Sequence, residues 1–155
     1  MVVDKLDFND SALVSRFRSV LVQLVRTGAS FDLDFKPLYY FTTPRGPLPS
    51  EAGWYVIYEV ENRKPVYVGK ADNLDYRLNS DDGSRDNFGN PHRPSDPERN
   101  FIKKLREQGA IGRLAVKIIK ENDLCRQLGI TPPLSSLDRT NIEKMTNLHR
   151  SYLPL

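Results

Sequence analysis

Cysteine and histidine are almost missing from this 155-residue chain, which carries one of the first and two of the second. The single thiol, Cys125, has no internal partner for a disulfide, and His92 and His149 are far apart in sequence, so a zinc centre of sulfur and imidazole is not expected. Cys125 sits among Leu and Ile and reads as a small buried hydrophobe. No run approaches the roughly 18 apolar residues of a membrane span. The opening Met-Val-Val-Asp-Lys-Leu-Asp lacks the basic, apolar, small-residue order of a secretory leader. A cytoplasmic protein without membrane association is the expectation. Internal repeats and low-complexity tracts are also lacking. What remains, 39% hydrophobic and 28% charged residues, suits one soluble domain over residues 1–155.

A strong overall charge is missing too, at net +3, but the charge is unevenly spread. Residues 1–44 hold five basic and five acidic side chains, whereas Arg85 to Lys120 hold nine basic against four acidic. Such a stretch suits a phosphate backbone, although charge alone equally describes a solvated face.

Leu13, Val14, Phe17, Val20, Leu21, Leu24 and Val25 recur at helical spacing between Asp10 or Ser11 and Gly28, which predicts an N-terminal helix with its apolar stripe on the core. Residues 31–50, with Pro37, Pro44, Pro47 and Pro49, read as an extended connector. The chain therefore divides into 1–48, helix and connector, and 49–155, a catalytic-sized core. Residues 79–96 are rich in Gly, Pro, Asn and Asp and read as a long surface loop in which Arg85, His92 and Arg93 are candidates for DNA contact. Asp96-Pro97 then starts a helix carrying Arg99, Lys103 and Lys104; 114–119 reads as a strand and 136–150 as a last helix.

The densest information lies between residues 53 and 78. Residues 54–59 and 65–68 are β-branched and aromatic runs separated by Glu61-Asn62-Arg63-Lys64, which predicts a hairpin with Tyr55 and Tyr67 on adjacent strands. Gly69 reads as the end of the second strand, Asn73 as the cap of a short helix, and Arg77 as a residue one turn along it. This arrangement would gather Tyr55, Tyr67, Lys70 and Arg77 on one concave surface. Taken singly, each aromatic is an ordinary strand residue.

Together, Gly53-Trp54-Tyr55, Tyr67-Val68-Gly69, the continuation Lys70-Ala71-x-Asn73-Leu74 and Arg77 resemble the GIY-YIG nuclease family, closest in spacing to the nuclease domain of the bacterial nucleotide-excision-repair enzyme. The likeness covers residues 50–80; Trp54 departs from the usual Ile or Val. It implies a mixed α/β (α+β) fold with a three-stranded, mostly antiparallel sheet over 54–59, 65–68 and 114–119, flanked by helices and by an N-terminal helical extension.

The same resemblance implies phosphodiester hydrolysis. Tyr55 would be the general base or its hydrogen-bonded proxy, with Lys70 lowering its phenol from the usual value of about 10. Tyr67 would orient water or phosphate, and the Arg77 fork would hold a non-bridging oxygen. One magnesium ion (Mg2+), or manganese, would be held by Glu143; Glu121 is the rival ligand, in a tetrapeptide that reads as an exposed turn. The supporting asparagine that follows a proline in the family is either absent after Pro154 or replaced by Asn147. The expected partner is double-stranded DNA, cut by a restriction-type or phage-like endonuclease acting as a homodimer or larger assembly. The alternatives are a catalytically silent DNA-binding module and a structure-selective repair or nicking nuclease.

Overall fold

The computed structural model describes residues 2–36, 41–44, 48–79 and 113–155. The expected first helix, α1 (Ser11–Thr27), begins where the Asp10 carboxylate accepts a hydrogen bond from the Ala12 amide at 3.0 Å, satisfying one of the free N–H groups of the first turn. Phe17, Leu21, Leu24 and Val25 form its buried stripe.

The chain then departs from expectation. Residues 31–50 are not merely a connector: β1 (Ser30–Lys36) and β2 (Phe41–Pro44) pair antiparallel. The alternation Phe31, Leu33, Phe35 carries the strand signal, and the prolines around it obscure that signal. Pro44 closes the outermost strand, an edge position of the kind to which proline is confined in sheets.

The expected hairpin is β3 (Gly53–Glu59) and β4 (Lys64–Ala71), and β5 (Leu114–Lys120) pairs on the other side of β3. The sheet is thus wider than three strands: β1, β5, β3 and β4 form an antiparallel set, extended by β2 in the order β2-β1-β5-β3-β4. Because β1 pairs with β5 and α1 packs in the same core, the described elements before residue 48 are joined to the rest of the fold.

Strand alternation divides the core into two layers. Trp54, Val56, Val68 and Ile119 meet α1, α3 (Glu121–Leu128) and α4 (Ser136–Leu148) on one face. Tyr55, Ile57, Val116 and Ile118 meet Leu48 and Leu74 and Leu78 of α2 (Leu74–Asn79) on the other. The first amides of α2 donate to the Glu51 and Pro49 carbonyls at 2.9 and 3.1 Å, while Asp75 accepts from the Leu48 amide at 3.1 Å.

Glu121 to Asp123 form the first turn of α3, not an exposed turn. The run is polar enough to resemble a turn, but Leu124, Cys125 and Leu128 give the helix a buried side, and Gly129 closes it in the left-handed conformation at φ 73°. Ser135 caps α4 by accepting from the Asp138 amide at 3.0 Å. The buried Asp138 carboxylate in turn accepts from the amides of Lys5 at 2.7 Å and Leu6 at 3.3 Å, strapping the N-terminal segment to this helix.

Candidate active site

In the hairpin register Tyr55 lies opposite Gly69, and Ile57 opposite Tyr67. Tyr55 and Tyr67 therefore share a face, with ring centroids 6.1 Å apart and planes inclined by 28°. Gly69 does not end the strand, which continues to Ala71. Its role is steric: a Cβ at this position would overlap the ring carbons and hydroxyl of Tyr55. Gly53 is held to the same rule by the Ile119 carbonyl and by Leu74 Cδ1, which would lie 2.8 Å from a Cβ. The glycines thus let a tyrosine and a helix close directly onto the backbone. Tyr55 is only 1% exposed, whereas Tyr67 is half-buried and the more accessible of the two.

Lys70 departs from the concave surface expected for it. In an unbroken strand a residue three positions after Tyr67 turns to the opposite face. Lys70 lies opposite Trp54, and its Nζ donates to Thr140 Oγ1 of α4 at 2.6 Å. Beside it, Trp54 Nε1 donates to the Arg139 carbonyl at 3.0 Å. The Arg139 guanidinium grips Glu121 through Nε to Oε1 at 2.7 Å and Nη2 to Oε2 at 3.0 Å, and reaches Asp72 Oδ1 through Nη1 at 3.0 Å. The Glu121 hydrogen bond outweighs burial and pushes the Arg139 pKa further up, so the guanidinium stays charged.

Glu143, the metal-ligand candidate, is half-buried on α4 three residues after Thr140, and Asn147 is half-buried one turn further along. Its rival, Glu121, is buried rather than exposed, and both its oxygens are taken up by Arg139. Among the described residues no three His, Cys, Asp or Glu side chains cluster as a metal cage. A divalent site of one carboxylate completed by water and phosphate is not of that kind.

Asn73 immediately precedes α2, the position expected for its cap, and Arg77 belongs to the α2 backbone. The Arg77 side chain lies outside the described residues, as do the expected loop from residue 80 on, Arg85, His92, Arg93, Arg99, Lys103, Lys104 and their helix. Three cations at the end of the basic stretch are described, and each has a local partner. Arg113 meets Asp32 at 3.4 Å, Lys120 meets Asp123 at 3.7 Å, and Lys117 donates to the Gly28 carbonyl at 3.1 Å. Burial, with Arg63 second, lowers the Lys117 pKa.

Arg139 and Thr140 do not stand out in the sequence. Thr140 was reachable, because it precedes Glu143 by three residues on a predicted helix. Arg139 was not, because its partners lie 18 and 67 residues away. Comparison of the chain with protein-family models, curated proteins and solved structures finds no match.

Proposed function

We propose that the chain is a GIY-YIG-type endonuclease that hydrolyses DNA phosphodiester bonds with a divalent cation, of a restriction-type or phage-like kind. The observation that carries this reading is the tyrosine pair closed over Gly69 on a strand whose next residue, Lys70, engages the helix that bears Glu143.

Hydrolysis needs an oriented water, a proton acceptor and positive charge around the phosphate. Tyr67, the accessible phenol, orients the water. The burial of Tyr55 favours its acting as general base through Tyr67, which passes the water's proton inward, over direct proton abstraction from solvent. The direction of Lys70 favours charge on the phosphate over tuning of the phenol. Arg77 contributes a planar fork for a non-bridging oxygen. Magnesium or manganese, when bound at Glu143, supplies a Lewis acid for the phosphate and the leaving oxygen. Because the tyrosines, on β3 and β4, and Lys70, on β4, sit on opposite faces of the sheet, and β4 is its outer strand among the described residues, the scissile phosphate has to lie across that strand's edge. Cutting both strands of a duplex with one such site per chain calls for two chains, as in a homodimer or larger assembly, or for two successive binding events.

A second reading, a catalytically silent DNA-binding module, is favoured by the separation of Lys70 from the tyrosines. Incubation with a long defined duplex, with magnesium and with a chelator, beside Tyr55→Phe, separates the two. Discrete metal-dependent fragments, diminished in the variant, are expected. Nicked circles or a smear instead indicate a structure-selective or nonspecific nuclease, and binding without cleavage overturns the proposal in favour of the silent module.

A further inference from the structure

Arg139 and Thr140 have no part in the reaction outlined above, yet they make the contacts that set how α4 meets the sheet. Arg139 is tied at both ends. Its carbonyl receives the Trp54 indole N–H at 3.0 Å, and its guanidinium spans Glu121 at the start of α3 and Asp72 just after β4. A residue bonded to β3, α3 and the turn before α2 leaves the early turns of α4 little room to slide or rotate. Thr140 follows directly, and its hydroxyl oxygen accepts from Lys70 Nζ at 2.6 Å.

A lysine ammonium rides on a flexible four-carbon stem, so its position is defined only where a fixed acceptor holds it. A β-branched side chain on an anchored helix is such an acceptor, because its χ1 choices are few. Glu143 stands three residues further along, the spacing that makes two side chains neighbours on one helix face.

We infer that Thr140 is a positioning residue for Lys70, anchored by Arg139, and that it holds the ammonium about one helical turn from the Glu143 carboxylate. The inference deepens the nuclease reading and rests on it: cation and metal-binding carboxylate are presented to one phosphate as a single unit.

Thr140→Val keeps the shape and removes the acceptor, whereas Thr140→Ser keeps the hydroxyl. Two readouts are paired, acylation of Lys70 by an amine-selective reagent, followed by peptide mass spectrometry, and single-turnover cleavage of duplex DNA at saturating DNA and magnesium. In Thr140→Val, Lys70 is expected to be acylated several-fold faster. Cleavage is expected to slow about tenfold, the scale of one lost positioning contact. DNA affinity and the unfolding midpoint stay at wild-type values, and Thr140→Ser restores both rates. If the valine variant lowers the midpoint, Thr140→Ala carries the same comparison. Equal acylation in wild type and variant overturns the inference, as does unchanged cleavage where Lys70→Ala abolishes it. A wild-type protein that never cleaves sinks the nuclease reading and, with it, Thr140's part in the reaction; the acylation comparison still decides whether Thr140 holds Lys70.

Discussion

Gly69 bears the ring of Tyr55 where any other residue would bear its own Cβ, so the tyrosine pair depends on an atom that is not there. Gly69→Ala forces the ring or the strand to move, an overpacking cost of about 1–3 kcal/mol. A lower denaturant midpoint, with altered near-ultraviolet tyrosine signals, is expected; an unchanged midpoint contradicts the close approach. In the sequence this glycine reads as a strand end, because a missing Cβ looks the same in a turn and beneath a ring. Cys125 was legible: fully buried in the helical layer, its thiol is pushed up from 9.0 to about 11, by burial first and by Glu121 second. At pH 8 this cuts its thiolate population roughly a hundredfold, so a thiol reagent should label the native protein far more slowly than the unfolded one. The raised value also gives the sign of a pH effect. The folded state favours the neutral thiol, so this contribution to stability is complete below about pH 9 and is lost as pH rises toward about 11. A midpoint that declines over that window less steeply in Cys125→Ala would bear this out, and parallel profiles would refute it.

Elements with a clean period were readable and those held by distant partners were not. The stripe of α1, the hairpin strands and β5 all follow from spacing and turn residues. The first two strands were hidden by surrounding prolines, and α3 by a polar first turn whose leading residue is buried with Arg139, from another helix, as its partner. That pair suggests an element-scale experiment. Arg139→Ala leaves the Glu121 carboxylate, 4% exposed, without its bidentate partner, and removal of one member of such a buried pair costs about 3–5 kcal/mol. Asp72, 94% exposed, contributes much less, so Asp72→Ala should leave the midpoint nearly unchanged. Chemical denaturation of the two variants checks the contrast; equal effects would mean that α4 is not anchored through Glu121.

The whole molecule is a sheet with different duties on its two faces. One is covered by α1, α3 and α4 and engages Lys70; the other carries the tyrosine pair and α2. The candidate residues were legible as a set, because motif spacing survives in one dimension. Their division between faces was not, since it turns on whether the strand ends at Gly69 or runs on to Ala71. Charge was legible only as a total, and the described cations at the end of the basic stretch are engaged by neighbours within the fold. Under the proposed function α4 contributes a metal-binding carboxylate to DNA hydrolysis, and the decisive variant is Glu143→Gln, assayed by plasmid cleavage with magnesium alongside DNA affinity. Cleavage is expected to fall about a thousandfold, in line with loss of a principal electrostatic group, while affinity stays within a few-fold. Cleavage at the wild-type rate in this variant, or none in the wild type under any divalent metal, would contradict it.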